Sequence, residues 1–257
     1  DHRDLHSFPT RRSSDLKSTP HQRLKARIVP HGNKDYEKDK QKTDSPSIKP
    51  EIMKLIISHA AANGYNICLT DIKIAFLQTG GINQTIYVKP PKEAKDQDSV
   101  YWKLKKTTYG LIDGPIIWFI FAQQVLSDFG IKFSAVDKTL GVKLGPNNEV
   151  ELIIGMQVDD FLYTGKDETI KDFEHFIQQR LIVGSIKKNR FTFYGVEVIQ
   201  APDKGIVISQ EEDLLAIKGI PLSKERVKQS REAVKIGRAH RLNSSHQIIS
   251  YAVFCLK

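Results

Sequence analysis

Two adjacent aspartates stand inside an apolar run, in the stretch IIGMQVDDFLYTG from Ile153 to Gly165. The β-branched and aromatic residues on either side favour strands, and the pair falls where a hairpin would turn. Neighbouring carboxylates repel, and moving one out of water is unfavourable unless it is paired or holds a cation. A solvated turn tolerates such a pair but has no need of IIGMQV and FLYTG around it. A cation site at the tip of a core hairpin needs both features.

A third aspartate, Asp71, closes the strand-like run YNICLTD. Two divalent ions held by such carboxylates can activate an attacking oxygen and stabilise a leaving phosphate oxygen. Mg²⁺ takes few carboxylates and completes its shell with substrate phosphates and water. In DIKIAF, Phe76 follows Asp71 by five residues, across the point where a strand leaves its sheet. An aromatic there can press on the sugar of an incoming nucleotide, or simply anchor a core. Lys25 and Arg27 in RLKAR share one strand face by the period of two. That pair suits a triphosphate and equally suits a solvated basic strand. Trp102, Lys103, Lys105 and Lys106 mix an aromatic with bases, as a backbone-tracking surface or a lysine-protected edge strand would.

The intervening segments alternate strands and helices. A basic strand is expected over 23–30 and a charged loop over 31–46. Residues 48–64 form a helix, with Pro50 near its start and Gly64 past its end. Short strands are expected over 85–91 and 100–106, and a helix opened by Asp113 over 113–130. A hairpin over 139–158 turns at Gly-Pro-Asn-Asn, and an amphipathic helix follows over 167–184. A second hairpin spans 191–210 and a helix begins at 211. This order predicts an α+β fold of antiparallel hairpins with helices packed on one face. The P-loop, the Rossmann glycine set, zinc-ligand spacing and a serine nucleophile elbow are all missing from the sequence.

Both ends have a different character. Asp1–Leu16 and 236–257 resemble translated sequencing-library adapters, and neither is expected to be ordered. Taking these pieces away changes the charge little: the first is net zero and the last +3, so +9 overall leaves +6 between them. That balance suits a polyanionic partner. Cys255 falls in the closing piece, which leaves Cys68 as the one cysteine of the remainder and no internal disulfide. The apolar runs are too short to span a bilayer and no signal pattern opens the chain, so a soluble intracellular protein with no membrane partner is expected.

Six blocks in one order resemble the reverse transcriptase of copia-type (Pseudoviridae) LTR retrotransposons: LKARIVPHGNKD, TDSPSIKPEIMKLIISHAAANGY, LTDIKIAFLQTGGINQTIYVKPP, VYWKLKKTTYGLIDGPIIWF, GMQVDDFLYTG, and FYGVEV with GIVISQ. Together they cover nearly all of Arg23–Gln210. The resemblance implies a polymerase fingers and palm over 17–210 and the start of a truncated thumb over 211–235. It makes Asp71, Asp159 and Asp160 the catalytic, metal-binding carboxylates for two Mg²⁺, or Mn²⁺, ions. It places Lys25, Arg27, Phe76 and Gln157 at the incoming nucleotide, with Phe76 as steric gate. Tyr109, Gly110, Gly114, Tyr194 and Gly195 fall at template and primer. The implied partners are an RNA or DNA template with its primer, deoxynucleotides, and the integrase and ribonuclease H parts of a parent polyprotein. An active element would place the chain in a cytoplasmic virus-like particle.

Two departures from the family pattern bear on activity. Gln157 stands where tyrosine usually precedes Val-Asp-Asp, and Ile116 where arginine is frequent. The expected function is RNA- and DNA-directed DNA synthesis. The alternatives are a decayed copy that folds and binds nucleic acid without polymerising, and a metal-dependent nuclease using the same aspartates.

Overall fold

The computed structural model describes residues 45–82, 85–90 and 100–210, together with Val29–Pro30, Gly32, and the backbones of Arg3–Phe8 and Phe254–Leu256. The expected strand over 23–28, the loop over 33–44 and the helix from 211 lie outside the described residues.

In chain order the elements are β1 (Arg3–Phe8), β2 (Val29–Pro30), α1 (Pro50–Asn63), β3 (Asn66–Ile72), α2 (Ala75–Gln78), β4 (Ile86–Lys89), β5 (Trp102–Lys103) and α3 (Gly114–Asp128). There follow β6 (Lys132–Phe133), β7 (Leu140–Leu144), β8 (Val150–Gln157), β9 (Asp160–Gly165), α4 (Asp167–Arg180), β10 (Val183–Lys188), β11 (Arg190–Phe193), β12 (Val196–Gln200), β13 (Ile206–Ser209) and β14 (Phe254–Leu256). Helix α1 begins at Pro50 and closes on Gly64, whose left-handed conformation lets its N–H reach back to the last turn. Asp113 occupies the N-cap position of α3, but its side chain makes no capping hydrogen bond.

The central sheet has six strands in the order β10-β3-β9-β8-β7-β6, every neighbouring pair antiparallel. Residues 152–156 of β8 and 161–165 of β9 are buried without interruption, so these strands are covered on both faces. On one face, Cys68, Ile72, Ile154, Phe161 and Tyr163 pack against Trp118, Phe119 and Ala122 of α3 and Phe173 and Ile177 of α4. On the other, Ile67, Leu69, Ile153 and Leu162 meet Met53, Ile56, Ile57 and Ala60 of α1. Phe191, Phe193, Val196 and Val198 of the β11-β12-β13-β14 sheet join that second core. Helices therefore lie on both faces, not on one as expected. The reason is the two-sided apolarity of β3, β8 and β9, which a single layer of helices would leave half exposed.

Three further features differ from the sequence reading. Helix α4 ends at Arg180, and residues 183–188 form β10 along β3 instead of continuing the helix. Tyr194 and Gly195 are the turn of an additional hairpin, β11–β12, with Phe193 opposite Val196. Arg3–Phe8, expected to lack order, pairs parallel with β4 and antiparallel with β2, and Phe254–Leu256 pairs with β13. Both segments supply main-chain partners to strand edges that would otherwise stand unpaired.

The core on the α3 and α4 side holds an aromatic cluster. The Phe173 ring lies 5.0 Å from Tyr163 and 5.4 Å from Phe129, centroid to centroid, and is fully buried. Cys68 is buried with no disulfide partner, and burial pushes its thiol up to about 12. No helix among the described residues is long and apolar enough to cross a membrane. Phe173→Ala is expected to lower the unfolding free energy by about 3–5 kcal/mol in urea titration. Leu55→Ala, on the exposed side of α1, should stay within about 0.5 kcal/mol of the parent.

Candidate active site

Strand register gathers the acidic residues. Asp71 on β3 stands opposite Asp160 on β9, and Asp160 stands opposite Gln157 on β8. On the far side of β3, Ser185 of β10 stands opposite Asp71. Directly opposed residues of an antiparallel ladder project to the same face, so Gln157, Asp160, Asp71 and Ser185 form one row across four strands. The row lies on the α1 side, one step beyond Leu69 and Leu162, the last buried residues of that face. Asp71, Asp159 and Asp160 are each half-buried. Asp159 belongs to the turn, where its carbonyl accepts the Ile72 N–H at 2.8 Å.

Half-burial and crowding shift the central member of the row. Asp160 is raised to about 6, first by desolvation and then by the negative charges of Asp159 and Asp71. Lys187 opposes the shift; it pairs with Leu69 on β10, two positions from Ser185 and on the same face. Beside Asp71, β10 carries an irregularity between Val183 and Ser185. Gly184 fills it, and a Cβ there would run into the Asp71 carboxylate. Any side chain at 184 would have to displace the Asp71 carboxylate, so closely do the acid and the strand backbone approach.

The hairpin tip is Val158-Asp159. Val158 has φ of 50°, a left-handed conformation that a β-branched residue rarely adopts. Only the first turn residue has positive φ, the pattern of a II′ hairpin turn, where glycine is the usual occupant. Trp118 of α3 donates its indole Nε1–H to the Val158 carbonyl at 2.6 Å. Gln157 Oε1 accepts the backbone N–H of Ile48, ahead of α1, at 3.0 Å.

The remaining residues singled out by sequence fall into three places. Phe76, Tyr109 and Gly114 come together: the two rings meet edge to face at 4.7 Å, and a Cβ at Gly114 would touch Phe76. Phe76 is 9% exposed and belongs to the core, with its carbonyl accepting the Thr79 hydroxyl at 3.0 Å. Gly110, next to Tyr109 in the chain, makes a different contact. It has φ of 95°, its carbonyl accepts the Gly32 N–H at 3.0 Å, and a Cβ would strike Pro30. It docks the segment that follows Lys25 and Arg27, which themselves lie outside the described residues. Tyr194 and Gly195, both with positive φ, make an exposed hairpin tip on the sheet that covers the acidic face. Ile116 packs against the core as a partly buried apolar residue.

Gly184, Lys187 and Trp118 are site residues that sequence reasoning missed. A glycine inside LIVGSIKK was a signal for a bulged strand, obscured by its position after a helix. Gln157 was expected at the nucleotide; its side-chain oxygen accepts the Ile48 N–H in the chain that leads into α1.

Among the described residues, no three His, Cys, Asp or Glu side chains are gathered into a preformed ion cage. The donor chemistry still fits a divalent cation. Three half-buried carboxylates share one field, one of them raised to about 6, with a single lysine in opposition. Such a set suits an ion that takes one or two carboxylates and fills its shell with phosphate oxygens and water.

The strands end in paired carboxylates, and comparison with known proteins gives the family of the fold that carries them. The family model described as reverse transcriptase (RNA-dependent DNA polymerase) matches residues 5–218. The chain belongs to that family of nucleotidyltransferase enzymes, as a reverse transcriptase domain of the copia-type retrotransposon branch. Over 201 residues it is 31% identical to the retrovirus-related Pol polyprotein from transposon RE1 of Arabidopsis thaliana, covering 76% of this chain and 13% of that protein. Against the corresponding polyprotein from transposon RE2 of the same plant it is 30% identical, covering 76% of this chain and 14% of the relative. Against that from transposon TNT 1-94 of Nicotiana tabacum it is 29% identical over 168 residues, covering 63% and 12%. The chain thus spans about an eighth of the length of these relatives. A telomerase from Candida albicans, solved with a fragment of telomeric RNA, superposes with a TM-score of 0.37 at 11% identity, covering 66% of this chain and 36% of that one.

Two outcomes are expected from this geometry. Asp160 is easier to protonate in the fold than in the unfolded chain, so its contribution to stability is full below the ordinary carboxylate pKa of about 4. That contribution is lost as pH rises through about 6. In metal-free buffer the thermal midpoint should therefore fall across this window, and Asp160→Asn should flatten the fall. Gly184→Ala should leave the circular dichroism spectrum unchanged while displacing Asp71; a primer-extension rate equal to the parent's would count against the close approach.

Proposed function

We propose that the chain catalyses templated DNA synthesis on RNA or DNA, joining a deoxynucleotide to a primer 3′-hydroxyl. The observation that carries this reading is the cross-strand pairing of Asp71 with Asp160, next to Asp159 in the turn. In the reaction the primer 3′-oxygen forms a bond to the α-phosphorus of the deoxynucleotide. The bond between the α- and β-phosphates breaks, pyrophosphate leaves, and the hydroxyl proton passes to water.

Asp71, Asp159 and Asp160 would hold the divalent cations, two Mg²⁺ in this reading. Such ions, when bound, lower the energy of the attacking and departing oxygens. The protein's own residues do the placing. The Ile72 N–H fixes the backbone of Asp159, and the β3–β9 register fixes Asp71 against Asp160. Lys25 and Arg27 would meet the triphosphate; Val29 and Pro30, which follow them in the chain, lie against Gly110. Preorganised cations aimed at developing charge are among the strongest contributors to such catalysis. Phe76, seated against Tyr109 above Gly114, would form the aromatic floor under the sugar and exclude a 2′-hydroxyl. Tyr194 and Gly195, at an exposed tip on the acidic side, suit contact with the primer strand.

The test is incorporation of labelled deoxynucleotide on a primed RNA template by the full chain, with Mg²⁺ and with chelator. Asp159→Asn is expected to abolish extension while leaving template binding largely intact. Equal extension by variant and parent overturns the assignment. Binding without extension by the parent identifies a decayed copy, and shortening of the template identifies a nuclease.

A further inference from the structure

We infer that Trp118 is a positioning residue for the acidic turn: its indole N–H holds the strained Val158 peptide and thereby sets where Asp159 and Asp160 stand. The inference rests on the polymerase reading of the aspartates, but its geometry is independent of that reading.

Three residues in a row at the hairpin tip are tied by hydrogen bonds to three different elements. Gln157 Oε1 accepts from Ile48 at the entry to α1, Val158 O from the Trp118 indole of α3, and Asp159 O from Ile72 at the end of β3. Two of these donors are main-chain N–H groups, which almost any residue would supply. The third comes from the indole of the Trp118 side chain. Trp118 is 1% exposed in the middle of the α3 core, and its ring is held 5.9 Å from Phe121. A buried indole N–H needs an acceptor, and the acceptor here is the carbonyl of the one turn residue whose backbone is unfavourable.

That coincidence has a mechanical consequence. With φ of 50°, Val158 is in a conformation that its own side chain resists. Released, the Val158 peptide would relax toward negative φ and swing the following two residues. Those two residues are the adjacent carboxylates, whose mutual repulsion also favours separation. The indole bond opposes both tendencies at 2.6 Å, from a helix that the core fixes rigidly. Small displacements of reacting groups lower rates steeply, by on the order of 100-fold for about 1 Å.

The test uses Trp118→Phe, which keeps an aromatic ring in the core but removes the N–H. Hydrogen–deuterium exchange of peptides covering 156–161 is compared with that of α4, alongside steady-state primer extension. The expected result is faster exchange at the turn with α4 unchanged, and a kcat lower by on the order of 10-fold, with KM for primer-template near the parent's. Adding Val158→Gly to Trp118→Phe should restore both readouts toward the parent, because glycine holds positive φ without a clamp. Unchanged exchange at the turn overturns the inference, as does equal loosening of α4, or failure of Val158→Gly to lessen the defect. Should Trp118→Phe not fold, Val158→Gly alone decides: a higher thermal midpoint supports stored strain at 158, and an unchanged or lower one overturns it. A parent that extends no primer defeats the proposed function, while the exchange measurement still decides the clamp.

Discussion

The register between β3 and β9 is the constraint on which the site depends. It sets Asp71 against Asp160 at the strand ends. A slip of one residue would turn Asp160 toward α3 and α4, into the space that Phe161 fills. Burial on both faces makes that slip very unfavourable, since every apolar residue of β9 would change sides. A polar chain that runs from the buried Thr70 and Tyr163 out to the surface pins the register further. Thr70 and Tyr163 share a hydrogen bond at 3.0 Å, Tyr163 donates to Glu174 at 3.1 Å, and Lys188 reaches Glu174 at 2.8 Å. The chain joins β3, β9, α4 and β10, and burial pushes the Tyr163 phenol well above its usual range, so it stays a neutral donor. Shifting any one of these strands would strand a polar group without its partner.

Cover on two sides also explains where the acids sit. On the α1 face the apolar ladder runs through Ile67 and Leu69 on β3 and Leu162 on β9 before giving way to carboxylates. Half-burial is the outcome: enough loss of water to raise Asp160, with part of its surface still open. A deeper site would impose a larger desolvation penalty on each charge, and a fully solvated one would lose the field that crowding creates.

Much of this was legible in the chain. Helix α1 is marked by Pro50, its apolar spacing and Gly64, and β7–β8 by strand-like runs on either side of Gly-Pro-Asn-Asn. The three aspartates announced themselves by being charged where their neighbours are apolar. What stayed hidden depends on partners remote in sequence. Strand β10 has few apolar residues of its own and exists because β3 offers an open edge 110 or so residues earlier, beyond the reach of any local pattern. The same holds for Gly184, whose need arises only from Asp71 across the ladder. Gln157 was visible as an oddity beside the aspartates, but its acceptor role needs Ile48, brought in by the packing of α1. Helices on both faces likewise follow from cores that only the folded sheet defines.

Two departures from local preference flank the carboxylates. The non-glycine residues with positive φ include Asn148 and Asn189, whose short polar side chains tolerate it, and two β-branched residues, Ile74 and Val158. Ile74 lies three residues after Asp71 and opens α2, the turn of helix that carries Phe76; Val158 directly precedes Asp159. Each of these two β-branched residues thus sits where the chain leaves a strand that has just placed, or is about to place, an acid. At both points the chain must turn sharply at the edge of a two-sided core, and the surrounding contacts decide the conformation. At Ile74 the next turn is tied by the Thr79 hydroxyl to the Phe76 carbonyl, and at Val158 by the Trp118 indole. Strain kept in place by dedicated hydrogen bonds on both sides of one carboxylate row is the pattern expected where geometry is set by what the site must hold rather than by what the backbone prefers.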